Sequence, residues 1–238
     1  MNNIYIPSYN RPDQVRTFDY LGVGNIIVPY SQEKEYKKKY GKNVIGIPDK
    51  QDGTDARKKR NLLNLIYKKE QDGFGWMIDD DLEFIRRKKE NETLCKDSAL
   101  ELLEKIYIMA KDGNFTYCGF DYSSDNMKLK DMTPFSLNKI FFGAVLVDTK
   151  DNLRYDERFK ICGDVDFYLQ KLNKNRKVLK DNQYQAVFYG EDGGKDSVIG
   201  YNRKDQKEYA NKINNKWGYK AMVWKNTGFR FFNPINSI

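Results

Sequence analysis

Three consecutive carboxylates at residues 79–81 are the group in this sequence best suited to chemistry. They follow the apolar run Phe74–Ile78, which predicts a short buried strand. On an extended segment, side chains two positions apart project to the same face, so Asp79 and Asp81 would lie together. Hard divalent ions such as Mg²⁺ and Mn²⁺ bind carboxylate oxygens and complete their coordination with substrate phosphates. One interpretation is therefore a metal-diphosphate site.

The same three acids are also typical of a helix start. In that interpretation one Asp caps a turn at residues 82–85, and the others lie in the positive field of the helix N-terminus. The triplet alone favours neither interpretation. The elements that must position these acids decide between them.

The absence of histidine restricts what the protein can do. It excludes His-containing triads, His general bases and ordinary His zinc sites. A proton acceptor must then be a carboxylate, Lys, Tyr or Cys, and a metal must be held by oxygen. Cys95, Cys118 and Cys162 have no metal-type spacing and fit reduced thiols in a cytoplasmic compartment.

The net charge of +8 comes from 42 basic and 34 acidic residues. The basic residues cluster, which suits a polyanionic partner such as nucleic acid. Solvated helix faces of a Lys-rich chain give the same pattern, so charge favours nucleic acid only slightly. No segment has the apolar length of a membrane span and the N-terminus lacks a signal-peptide pattern, so we expect no membrane partner.

Short apolar runs alternate with helical patterns through the first half of the chain. Strands are predicted at residues 5–7, 26–29, 44–47 and 74–78, and helices at 13–21, 31–40 and 54–71. This alternation indicates a doubly wound α/β fold with a mostly parallel sheet. Ligands bind such sheets beyond the carboxyl ends of the strands, where residues 8–11 and 79–81 both fall. The metal site is therefore favoured over the helix cap.

The second half of the chain is less regular, and no linker or repeat separates it from the first. Helices are predicted at residues 94–111, 164–172 and 204–217, and strands at 115–119, 140–147 and 185–189. An aromatic tail closes the chain. We therefore predict a single domain over residues 1–238.

Four motifs together resemble those of the GT-A-fold glycosyltransferases. They are the first strand and loop at residues 4–12, a helix opening at 53–61, the acids at 79–81 in place of an Asp-x-Asp motif, and an acidic motif at 155–167. The resemblance spans residues 4–200, and the order and spacing of the motifs make it specific. It implies a GT-A-like, Rossmann-type nucleotide-sugar-binding half at residues 1–90, continuous with an acceptor half at 91–238.

Within that superfamily, the Ile-Pro-Ser-Tyr-Asn-Arg opening at residues 6–11 and the strand before Tyr36 look most similar to the TET-associated glycosyltransferases. These are phage-type enzymes associated with the transfer of sugars to hydroxymethylated pyrimidines in DNA. The resemblance implies Mn²⁺ or Mg²⁺, a nucleotide-diphosphate sugar (a UDP-sugar as first choice), and DNA containing 5-hydroxymethylpyrimidine. It also implies a cytoplasmic location, in the host if a phage encodes the chain.

The resemblance assigns roles to residues on the donor side. Asp79 and Asp81 would hold the ion, and Asp80 would reach the ribose or the sugar. Guanidinium groups bind phosphate in bidentate fashion, so three arginines are candidates for the diphosphate or nucleobase: Arg11, Arg57 and Arg60. The other expected donor contacts are Pro7, Ser8, Tyr9 and Asn61. Equal alternatives are a solvated helix face for Arg57 and Arg60, and packing on the first helix for Tyr9.

On the acceptor side, the resemblance implies that Asp164 takes the proton from the acceptor hydroxyl. The family's preceding Glu is Gly163 here, so Asp166 is a second candidate. Asp164 could equally cap a helix, and a retaining enzyme would need no such base. Many GT-A enzymes complete the metal shell with a late His, which this chain lacks. Either Glu191 or its neighbour Asp192 would take that place, or only water would.

Three other functions fit the same residues. The fold could serve a surface polysaccharide or protein acceptor, and paired Asp residues with metals are also used by nucleotidyltransferases. The third is a non-catalytic, basic DNA-binding protein whose acids are structural.

Overall fold

A computed structural model describes residues 3–48, 55–70, 73–86, 92–121, 133–159, 162–175, 177–188, 203–225 and 228–231. Side chains are described for all of these except residues 55–61, 175, 203–206, 224–225 and 228–231. In these ranges, no helix is both long and apolar enough to cross a lipid bilayer.

Strands and helices alternate in the first half of the described chain. The strands are β1 (Ile4–Pro7), β2 (Asn25–Pro29), β3 (Val44–Ile47), β4 (Phe74–Ile78), β5 (Leu82–Arg86) and β6 (Glu92–Thr93). The helices are α1 (Arg16–Leu21), α2 (Tyr30–Tyr40), α3 (Asp55–Lys69) and α4 (Lys96–Asp112).

The second half adds strands to the same sheet and a separate hairpin. The strands are β7 (Tyr117–Asp121), β8 (Phe135–Leu137), β9 (Ala144–Asp148), β10 (Val178–Phe188), β11 (Met222–Lys225) and β12 (Gly228–Phe231). The helices are α5 (Gly163–Asn175) and α6 (Arg203–Trp217).

The large sheet has the order β3-β2-β1-β4-β9-β7-β10-β5-β6, and β8 also pairs with β10. The first four strands are parallel. Strand β9 is antiparallel to both β4 and β7, while β7 and β10 are parallel. The predicted α/β class with a parallel core is confirmed, and the second half extends it with antiparallel pairs.

The central strands are buried on both faces, as their continuous apolar sequences require. Alternation along β1 and β4 sends Ile4 and Trp76 into one core cluster, together with residues of α1, α2 and α4. The intervening Tyr5 and Met77 enter the second cluster, with residues of α3, α5 and α6. The sheet is thus covered by helices on both sides.

The alternative interpretation, in which a helix starts at residues 82–85, does not hold in the structure. Those residues form β5, with Leu82 and Phe84 buried. β5 pairs with β10, about a hundred residues away in the chain, and local patterns cannot show such a partner. Strands β6 and β8 and the β11–β12 hairpin were likewise not predicted, and β9 begins at Ala144 rather than at residue 140.

A buried ion pair holds α5 against the segment that follows β9. Lys171 Nζ lies 2.7 Å from an Asp151 carboxylate oxygen, and their side chains are 0% and 5% exposed. The ammonium also donates to the Asp148 carbonyl at 2.7 Å. Burial lowers the pKa of Lys171, and the carboxylates of Asp151 and Asp148 counteract this effect.

Removing one partner of this pair should therefore be costly. We expect Lys171→Met to lower the free energy of unfolding by about 3–5 kcal/mol, because it leaves the Asp151 charge buried without its cation. The matched control is Lys212→Met in the exposed pair with Glu208, which should cost well under about 1 kcal/mol. Denaturant unfolding measures both. Equal losses would contradict the prediction.

Asp181, in β10, should make stability depend on pH. Burial raises the pKa of its carboxyl from 3.8 to about 6, although the backbone N–H groups of Gln183 and Tyr184 donate to it. The folded protein then binds the proton more tightly than the unfolded chain, so stability falls as pH rises from about 4 to about 6. We expect Asp181→Asn to be about 2 kcal/mol more stable than wild type above pH 6 and to converge below pH 4. Urea unfolding of both proteins between about pH 4 and about pH 6 checks the prediction. It would be contradicted if the difference between their free energies of unfolding did not change with pH.

Candidate active site

The residues that follow β1 and β4 meet at one edge of the sheet, because these strands are parallel neighbours. Ser8 follows β1, and its backbone N–H donates to the Ile27 carbonyl at 2.9 Å. Asp79 follows β4, and its N–H donates to the Gly143 carbonyl at 2.9 Å. The structure thus brings residues 8–11 beside residues 79–81.

The acids at residues 79–81 form a turn between β4 and β5, called here the acid turn. The alternation expected of an extended segment does not apply within a turn. Arg11 Nη1 lies 3.3 Å from an Asp80 oxygen and 3.4 Å from an Asp81 oxygen. The Arg11 guanidinium therefore bridges Asp80 and Asp81.

Asp80 is more enclosed than Asp81: its side chain is 13% exposed, and that of Asp81 is 22% exposed. Ser8 Oγ donates to it at 2.5 Å. Burial raises the pKa of Asp80 to about 6; the Ser8 hydrogen bond and the Arg11 charge oppose this shift, and the charge of Asp81 adds to it. Asp80 is thus held against residues 8–11, called here the β1 loop, rather than projecting into solvent.

Tyr36 supports this arrangement from α2, and it was not among the predicted site residues. Its hydroxyl lies 2.9 Å from Ser8 Oγ and accepts the Arg11 backbone N–H at 2.8 Å. Because Ser8 donates to Asp80, the three side chains form one buried chain of hydrogen bonds. The only sequence signal was the place of Tyr36 in the family pattern.

A pocket at this edge joins the donor and acceptor motifs. Pro7 and Asp79 line it from the β1 and β4 ends, and Tyr155 and Asp164 line it from the acidic motif. The remaining lining is mostly aromatic and aliphatic: Leu62, Met77, Tyr117, Phe141, Phe142, Gly143 and Val145. Two carboxylates from distant parts of the chain therefore border one small, largely apolar cavity of about 20 Å³.

Asp164 lies in the first turn of α5, where the helix dipole favours a negative charge. Tyr155 Oη donates to its carboxylate at 3.1 Å. The ring of Tyr155 stacks on Phe167, with centroids 4.4 Å apart, which holds the hydroxyl in place. A carboxylate so oriented at a pocket can accept a proton from a bound hydroxyl.

Asp166 has a different environment, although it is only two residues away. It is fully buried. Its oxygens accept hydrogen bonds from Gln170 Nε2 at 2.8 Å, Lys216 Nζ at 2.8 Å and Trp217 Nε1 at 2.9 Å. Lys216 also lies 2.9 Å from Asp156, so this group ties α6 to the acidic motif.

The other predicted site residues are only partly described. Tyr9 belongs to the loop after β1 and is half-buried. The backbone of α3 includes Arg57, Arg60 and Asn61, whose side chains lie outside the described part of the structure. Residues 191 and 192, and with them the expected ligand Glu191, also lie outside it.

A sequence comparison decides the family. A model of the TET-associated glycosyltransferases matches residues 2–189. The chain belongs to the TET-associated glycosyltransferase family. The predicted resemblance is confirmed, and the protein is a glycosyltransferase, so a non-catalytic DNA-binding protein is no longer an alternative. A comparison with curated protein sequences gives no match.

Solved structures agree with this assignment at the level of the fold. TarS of S. aureus, residues 1–349, is 12% identical with a TM-score of 0.52, covering 92% of this chain and 72% of that chain. Its complex with UDP is 14% identical with a TM-score of 0.55, covering 91% and 65%. A TET-associated glycosyltransferase with a GT-A-like α/β sheet is thus consistent with both comparisons.

The two acids of α5 should respond differently to loss of charge. Asp164→Asn keeps an oxygen for Tyr155 but removes the candidate proton acceptor, so turnover should fall about 10²–10⁴-fold with little change in unfolding temperature. Asp166→Asn places an amide against the donors of Lys216 and Trp217, so stability should fall by about 3 kcal/mol. Sugar-transfer kinetics and thermal unfolding of both variants test this. The reverse pattern would make Asp166 the chemical group.

Proposed function

We propose that this glycosyltransferase moves a sugar from a nucleotide diphosphate to the hydroxyl of a 5-hydroxymethylpyrimidine in DNA, with the help of a divalent cation. The observation that carries the proposal is the pocket bordered by both Asp79 and Asp164. One carboxylate serves the donor and the other serves the acceptor. The sugar would be exchanged in the space between them.

The acid turn suits Mg²⁺ or Mn²⁺ in its chemistry, since all its donor atoms are carboxylate oxygens. Within the described ranges, no three acidic or thiol groups come together as a complete metal site. Such ions commonly take one or two carboxylates and complete their shell with substrate phosphates. Asp79 would be the first ligand, with Asp81 and Glu191 as further candidates. The bound ion would neutralise the departing diphosphate.

The donor would lie over the β1 loop and the acid turn. Arg11 already faces the two acids, and its guanidinium would contact the diphosphate. Ser8 and Asp80 would meet the nucleoside or sugar, and Pro7 forms part of the pocket wall. Contacts from Tyr9 and, on α3, from Arg57, Arg60 and Asn61 belong to the same proposal. The UDP bound by TarS supports a UDP-sugar.

Asp164 would act as the base of an inverting transfer. As the bond between the sugar and the diphosphate breaks, the acceptor oxygen bonds to the sugar carbon and its proton passes to Asp164. The hydrogen bond from Tyr155 keeps the carboxylate oriented for this step. We assign Asp166 a structural role instead, because its oxygens already accept from Gln170, Lys216 and Trp217.

Membership of the TET-associated family and the net charge of +8 support DNA as the acceptor. The hydroxymethyl group on position 5 of a pyrimidine projects into the major groove of a duplex. Such a group would reach the site more readily on a base rotated out of the stack. Basic side chains would hold the phosphates, so binding should weaken with salt.

The direct test incubates the protein with Mn²⁺, a panel of nucleotide sugars and DNA containing 5-hydroxymethylcytosine, 5-hydroxymethyluracil or neither. We expect mass spectrometry of the nucleosides to show a sugar added only to a hydroxymethylated base, with release of a nucleoside diphosphate. Release of pyrophosphate would indicate nucleotidyl transfer. Sugar transfer to a polysaccharide or protein but to no DNA would overturn the acceptor assignment.

Asp79→Asn should abolish most of this transfer. Loss of one carboxylate at the ion and diphosphate should reduce turnover by about 100-fold or more. The matched control is Asp112→Asn, an exposed acid at the end of α4. It should transfer sugar at the wild-type rate. An active Asp79→Asn enzyme with unchanged Mn²⁺ dependence would contradict the metal assignment.

A further inference from the structure

Thr17 is a buried polar residue that the proposed chemistry does not use. It lies on α1, and its side chain is completely buried. The helix faces the core cluster opposite the pocket, so Thr17 approaches the acid turn from behind. Its position has no signal in the sequence, since 62 residues separate it from Asp79.

The hydroxyl of Thr17 connects the two ends of the acid turn. It donates to the Asp79 carbonyl at 2.6 Å and accepts the Leu82 backbone N–H at 2.8 Å. The backbone N–H of Thr17 also donates to the Asp80 carbonyl at 3.1 Å. One residue therefore satisfies three backbone groups of a four-residue segment.

α1 is itself held firmly enough to act as a support. Tyr20 Oη donates to the Leu94 carbonyl at 2.7 Å, and the Val15 N–H donates to Tyr40 Oη at 3.1 Å. Adjacent carboxylates repel one another, and a turn that is free to relax would separate them. Bonds from a fixed helix to the carbonyls of Asp79 and Asp80 oppose that relaxation.

We propose that Thr17 is a positioning residue that fixes the acid turn in the shape needed to bind the donor. It does not contact the pocket and acts only through the backbone of residues 79–82. Loss of its hydroxyl would leave the acids present but misplaced. The functional part of this inference rests on the proposed role of the acid turn, whereas the structural part can be tested without any ligand.

The ligand-free test follows amide hydrogen exchange at Leu82 by NMR. Thr17→Val keeps the side-chain shape but removes the hydroxyl, so exchange at Leu82 should accelerate about tenfold or more. Thr17→Ser retains the hydroxyl and should stay within about twofold of wild type. The matched control is Thr116→Val, another buried threonine, whose hydroxyl contacts Lys177. It should leave Leu82 unchanged. Equal exchange in Thr17→Val and wild type would overturn the proposal.

The functional test compares the same variants in sugar transfer. Thr17→Val should raise the donor KM, or the Mn²⁺ concentration for half-maximal rate, by about tenfold or more, with a smaller effect on kcat. Thr17→Ser should restore the wild-type KM. A substitution that only destabilised the fold would not raise KM while leaving kcat nearly unchanged. Thr17→Ala serves the same purpose if the Val variant does not fold. If Thr17→Val or Thr17→Ala folds and its donor KM is unchanged, the proposal is overturned. If the wild-type protein transfers no sugar, the proposed function is refuted, and the amide exchange at Leu82 alone decides the structural role of Thr17.

Discussion

Carboxylate charge crowded at one edge of the sheet is the constraint on which the site depends. Burial raises the pKa of Asp80 to about 6, and the charge of the adjacent Asp81 adds to this shift. Arg11 offers one positive charge to both Asp80 and Asp81. In these contacts negative charge exceeds positive charge. Such an edge suits a cation that arrives with a diphosphate.

The opposite side of the pocket is held by buried polar contacts that do not take part in the proposed transfer. Lys171 fastens α5 to the segment after β9, and Asp166 fastens it to α6. Each charge is compensated by its partners, so the helix that carries Asp164 has little freedom to move. α6 lies beyond the residues matched by the family, yet Lys216 and Trp217 make it part of this support.

These two supports suit the proposed transfer, in which one pocket would serve donor and acceptor together. Transfer requires reacting groups held within a fraction of an ångström, and rigid elements meet this need better than loops. The acids stand on a turn tied to α1 through Thr17, and Asp164 stands on a braced helix.

The sequence by itself determined the α/β class, the bounds of β4 and the place of the acid turn, since apolar runs and motif spacing are local properties. Its motifs also identified the family. Only the tertiary structure decided that residues 82–85 extend as a strand and that Asp166 is enclosed while Asp164 borders the pocket. Only the tertiary structure showed that Ser8 and Arg11 are the partners of Asp80. Ser8 and Asp80 lie 72 residues apart, and Lys216 and Asp166 lie 50 apart. Contacts of that range exist only once the chain has folded, because tertiary packing, not local propensity, brings the two segments together.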